Sequence, residues 1–135
     1  MLRSALGIIA GVIVSGLLIA VGEAATHVVF PPPAGLDPAD PASIRAAMAH
    51  MSPGPLMAVL VAWMIGSFGG ATLAANIARI GRLSCAVVVG CAVMAAAILN
   101  MLTIPHPAWF WIAALLVVVP SAWLAGRLAG RPAVR

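Results

Sequence analysis

The sequence predicts an all-α integral membrane four-helix bundle with a short amphipathic helix in its first outer loop. Three observations carry this expectation. Of 135 residues, 64% are hydrophobic and only 7% charged, whereas soluble domains carry about 25% charged residues. Four apolar runs each approach the roughly 20 residues that a helix needs to cross the hydrocarbon core. The arginines fall at the ends of those runs, where topology signals belong. The chain is too short for a second unit, so residues 1–135 are read as a single membrane domain.

The first span is expected over about 4–25. Its small residues include Gly7 and Gly11, a GxxxG pair that lets another helix approach closely. The run is longer than a signal-peptide core of about 7–15 residues, so it is read as retained. Residues 26–53 form the one long outer loop. It opens with Pro31, Pro32 and Pro33, a stretch suited to extended polyproline II. Within the loop, Asp40 is a good N-cap and Pro41 a good first helical residue. Ile44, Ala47, Met48 and Met51 then recur at helical spacing, with Ser43, Arg45 and His50 elsewhere, which describes a short amphipathic helix.

The second span covers about 55–78 and has the densest small-residue content, including a second GxxxG pair, Gly66 and Gly70. The third covers about 83–103, with Asn100 in its last turn. Ile104-Pro105-His106-Pro107 is too short for anything but an antiparallel return. The fourth span covers about 108–127 and contains Pro120, which removes one backbone donor and predicts a kink.

Orientation follows from charge. Arg3, Arg79, Arg82, Arg127, Arg131 and Arg135 fall on one side of this layout, and Arg45, Asp37 and Asp40 on the other. Both termini are therefore expected in the cytoplasm, with the loop outside a bacterial cytoplasmic (inner) membrane. The seven arginines and absent lysines make no basic patch of the kind a nucleic acid needs. Cys85 and Cys91 match no metal or redox spacing and read as small packing residues.

The layout gathers the few polar groups into one outer layer. Glu23 is the one acidic residue beside a span, and His27 follows it by one helical turn. With span one ending near Ala25, these two are expected to pair across i, i+4. Asn100 and His106 come to the same layer, so Glu23, His27, Asn100 and His106 form the candidate polar cluster. Glu23, His27 and His106 have the ligand types of a two-histidine, one-carboxylate metal site. Only the Glu23–His27 spacing favours it, and no metal or other cofactor is expected. No nucleotide loop, nucleophile motif or zinc-protease motif is present, and no catalytic residue is assigned.

The run GEAATHVVFPPP…DPADP…IPHPAWFW resembles small uncharacterised bacterial four-span membrane proteins. That resemblance covers most of the chain and implies a fold without an activity. The layout is also similar to the small multidrug resistance transporters, four-span chains with a glutamate in span one. Theirs lies mid-span, whereas Glu23 is placed at the span's end, and the long proline-rich loop has no counterpart there. Their function is not carried over. The expected function is non-enzymatic: packing, assembly or an accessory role, with lipid as solvent and a second copy or another membrane protein as partner. The alternative is a small transporter or proton-coupled permease subunit in which Glu23 takes up and releases a proton.

Overall fold

The computed structural model describes residues 1–129, so Arg131 and Arg135 lie outside the described residues. The described chain is five helices: α1 (Leu2–Val29), α2 (Pro41–Ala49), α3 (Pro53–Ile77), α4 (Arg82–Thr103) and α5 (Ala108–Ala129). All but α2 are long and apolar enough to cross a membrane.

The spans differ most from the sequence reading at the end of α1. It continues to Val29 instead of stopping near Ala25, and with α3 starting at Pro53 the loop shortens from 26–53 to 30–52. The polar Thr26 and His27 do not end it, because an α-helix pairs its backbone groups internally and gains nothing by stopping in lipid. Pro31 does end it: the residue before a proline is driven out of helical geometry. Phe30 accordingly takes φ −124° and ψ 79°, and its N–H closes the last turn on Thr26 O. The Phe30 ring packs against Gly54 at the start of α3.

Helix α2 starts as its sequence dictates. Both Asp40 carboxylate oxygens accept backbone N–H bonds, from Ala42 at 2.9 Å and Ser43 at 3.1 Å. Its half-buried side is Ser43, Ile44, Ala47 and Met48, while Arg45 and His50 are exposed.

The four long helices run up and down, so α1 and α4 are parallel to each other, as are α3 and α5. Antiparallel α1 and α3 make the closest seam. A Cβ added to Gly11 would lie 2.6 Å from Gly70 O, one on Gly66 would lie 2.9 Å from Ser15 O, and one on Gly7 would lie 2.9 Å from Ala74 O. The two GxxxG pairs thus pack on each other within one chain. Helices α4 and α5 repeat this closeness: a Cβ on Gly90 would lie 2.5 Å from Ala122 Cβ, and one on Gly126 would lie 2.8 Å from Ala86 Cβ. Without a hydrophobic effect between helices in lipid, such contact area is the main source of association.

The buried hydroxyl groups, with one exception, are satisfied locally or across the seams. Thr26, Thr72 and Thr103 donate back into their own helices, the usual economy of hydroxyls on apolar helices. Ser67 Oγ crosses from α3 to Val118 O in α5 at 2.8 Å, and Ser121 Oγ reaches the same carbonyl at 2.8 Å. Helix α5 runs without a break through Pro120. Ser15 Oγ is the exception: it is fully buried against Gly70 and has no partner among the described residues.

At the arginine end, Gly81 (φ 67°) makes the left-handed turn from α3 to α4, a conformation glycine adopts without steric cost. Arg82 Nη1 donates to Ala129 O at 2.8 Å. This places a cation where the helix dipole of α5 is negative. Arg127 lies over the Trp123 ring, 4.4 Å from its centroid. Cys85 is buried and Cys91 exposed.

Candidate functional site

Glu23, His27, Asn100 and His106 all come to the α2 end of the bundle, but they do not form one cluster. Because α1 runs on to Val29, Glu23 lies six residues before the helix end rather than in its last turn. It is half-buried, while His27 is exposed. The expected Glu23–His27 pair is not formed. The helix instead aims Glu23 at α3, where Trp63 Nε1 donates to Glu23 Oε1 at 2.9 Å.

This bond joins residues 40 apart in sequence and ties the two helices that share the glycine seam. Trp63 is 3% exposed, so its N–H would be a buried unpaired donor without the carboxylate. Indole donates and never accepts, and a carboxylate only accepts, so the pair is chemically unambiguous. Glu23, Trp63 and Asn100 line a cavity of about 190 Å³ with Ile19, Val93, Ala96 and Ala97. The cavity lies among α1, α3 and α4, and its only side-chain polar groups are those three. Helix α1 meets α4 as well as α3 but makes no close backbone approach to the described part of α5.

His106 belongs to a different place. Its Nδ1–H donates to Ile104 O at 2.7 Å, because a carbonyl can only accept. Its ring stacks on Phe110 with centroids 4.6 Å apart. Phe110 in turn meets Trp63 edge-on at 5.5 Å and Trp109 edge-on at 5.8 Å. The four groups therefore form a series: Glu23 holds Trp63, Trp63 packs on Phe110, and Phe110 carries His106. Burial lowers the His106 pKa below its ordinary value, against the opposing pull of the Ile104 carbonyl.

His106 also lines a second cavity, of about 440 Å³, with Arg45, Met48 and Ala49 of α2, Met51, Pro53 and Leu56 at the start of α3, and Pro105, Pro107 and Trp109. Among the described residues, no three His, Cys, Asp or Glu side chains converge as a metal site requires. Glu23, His27 and His106 do not come together as the three-ligand set allowed by their residue types.

Trp63 is the residue of this site that the sequence reading did not assign. Its signal was depth: an indole N–H inside an apolar span needs an acceptor, and Glu23 is the one carboxylate in a span.

Among the described residues, four long apolar helices with one half-buried carboxylate make the arrangement of a multi-pass helical membrane protein. No family model, curated protein or solved structure matches the chain.

Proposed function

We propose that this chain is a non-enzymatic membrane protein with a packing, assembly or accessory role, and that Glu23 serves to hold α1 on α3. The observation that carries this reading is the Trp63–Glu23 bond. The one carboxylate in a span is committed to a neighbouring helix, beside a seam closed by Gly11, Gly66 and Gly70. A charged group inside a span costs about 2.5–3.5 kcal/mol on insertion scales, and a fixed hydrogen bond offsets part of that cost. The arginine distribution supports a bacterial cytoplasmic membrane with both termini inside and α2 outside. The natural partners are a second copy or another membrane protein.

The Glu23 cavity favours a second reading, a small transporter or permease subunit. Glu23, Trp63 and Asn100 face one hole, and intramembrane carboxylates often mark proton paths. Against it, the cavity sits at one end, and the half of the bundle beyond it is closed by small-residue contacts such as Gly90 on Ala122.

Proton flux into liposomes carrying the purified protein decides between them, measured with an internal pH dye for the native chain and Glu23→Gln. The packing role expects no flux above empty liposomes and a lower melting temperature for the variant. Flux in the native chain that Glu23→Gln abolishes without loss of folding would replace this reading by the transporter.

A further inference from the structure

The larger cavity lies at the α2 end, outside the Glu23 site. Its lining is of two kinds. Met48, Met51, Leu56, Trp109 and three prolines make apolar walls, and Arg45 supplies a full positive charge. Among the described residues that charge has no counter-ion. Asp40, five residues away in sequence, gives both oxygens to the backbone of α2, and Asp37 accepts from Ala39 N–H. Among the described residues no carboxylate lies within ion-pairing distance of Arg45. His106 has its Nδ1–H already committed to Ile104 O, which leaves Nε2 for another partner.

The place of the cavity in the bundle narrows the occupant. Helix α2 touches the core only through partly buried side chains such as Met48 and makes no close backbone contact with another helix. The gap therefore lies between an amphipathic helix and the ends of membrane spans, at the depth where lipid headgroups meet acyl chains. A small free anion would satisfy Arg45 but leave the apolar walls empty. A neutral lipid would do the reverse.

We propose that this groove binds an anionic phospholipid, its phosphate on Arg45 and the upper part of its acyl chains against Met48, Met51, Leu56 and Trp109. The site needs both parts, a cation and an apolar trough, and charge complementarity selects the headgroup.

The experiment is native mass spectrometry of the full chain released from nanodiscs of phosphatidylcholine containing phosphatidylglycerol, with inorganic phosphate as a separate arm. The native chain is expected to retain one phosphatidylglycerol and no phosphatidylcholine. Arg45→Glu should lower that retention by at least about fivefold, the factor one arginine contributes toward an anionic lipid surface. Met48→Trp, which fills the trough and keeps the charge, should lower it as well. Melting in pure phosphatidylcholine checks that both variants are folded, and Arg127→Ala, at the other end of the bundle, should bind as the native chain does. Equal retention by Met48→Trp would reduce the effect to surface attraction and overturn the site. So would unchanged retention by Arg45→Glu, or phosphate alone raising the melting temperature as much as the lipid does.

Discussion

Trp63 donates its indole N–H to Glu23 across 2.9 Å, and this bond binds α3 to α1 at the end of a seam whose close backbone approaches are made at Gly7, Gly11, Gly66 and Gly70, with Leu18, Ile19 and Ile77 packed beside them. The remaining contacts of that seam are largely van der Waals contacts, so it is the one polar lock between these helices.

The lock has a measurable strength. In a double-mutant cycle of Glu23→Leu and Trp63→Phe, unfolded in mixed micelles, the coupling should be about 0.6–1.7 kcal/mol, the range of side-chain hydrogen bonds in membrane bundles. Trp63→Phe alone should cost more than the coupling, because a buried ring system is also made smaller. Additive single effects would show that the two groups do not interact.

The seam itself should be intolerant of one methyl group. A Cβ on Gly70 would collide with Gly11 O and Ser15 Oγ, and the backbone oxygen cannot rotate away. Gly70→Ala is expected to cost about 1–3 kcal/mol. Gly16, also in α1, has nothing within 4 Å of an added Cβ. Gly16→Ala should therefore be neutral or stabilising by up to about 1 kcal/mol. Thermal unfolding of the pair separates close packing from helix propensity.

Ser15 offers the opposite sign. Its hydroxyl is buried without a partner, so Ser15→Ala removes an unsatisfied group while keeping the Cβ. The variant should be as stable as the native chain or more stable, by up to about 1 kcal/mol. A clear loss of stability would reveal a hydrogen bond for that hydroxyl.

His106 should confer acid sensitivity. Burial lowers its folded-state pKa, so the folded chain binds the proton less readily than the unfolded chain. Its contribution to stability is full above the ordinary histidine value of about 6.5. That contribution is lost as pH falls through the unfolded and then the folded pKa. The native melting temperature should drop on acidification through this window, and His106→Gln should flatten the drop. An unchanged slope would place the acid sensitivity elsewhere.

Much of this architecture is legible in the residues because lipid enforces simple rules. The spans follow from apolar length, and the start of α2 from Asp40 and Pro41. What escaped was sideways information. Thr26 and His27 look like an interface, but only Pro31 can stop a helix whose backbone is already satisfied. That four-residue extension left Glu23 six residues inside its helix, on the side that packs against α3. Periodicity gives each helix a face but not the rotation that pairs faces, so Trp63 as the partner of Glu23 was not read. Likewise, Asn100 and His106 share an end of the bundle yet line separate cavities. The GxxxG pairs were visible as close-approach sites, but that they meet each other needed the fold.

The connection from Phe30 to Ser52 runs between two helices that hold each other by direct contact, and α1 makes no close backbone approach to the described part of α5. Covalent continuity there adds local concentration, while recognition resides in the glycine surfaces. Severed near Gly35 and coexpressed as two fragments, the chain should reassemble: the first helix would find its groove on α3 and α4 from solution in the bilayer.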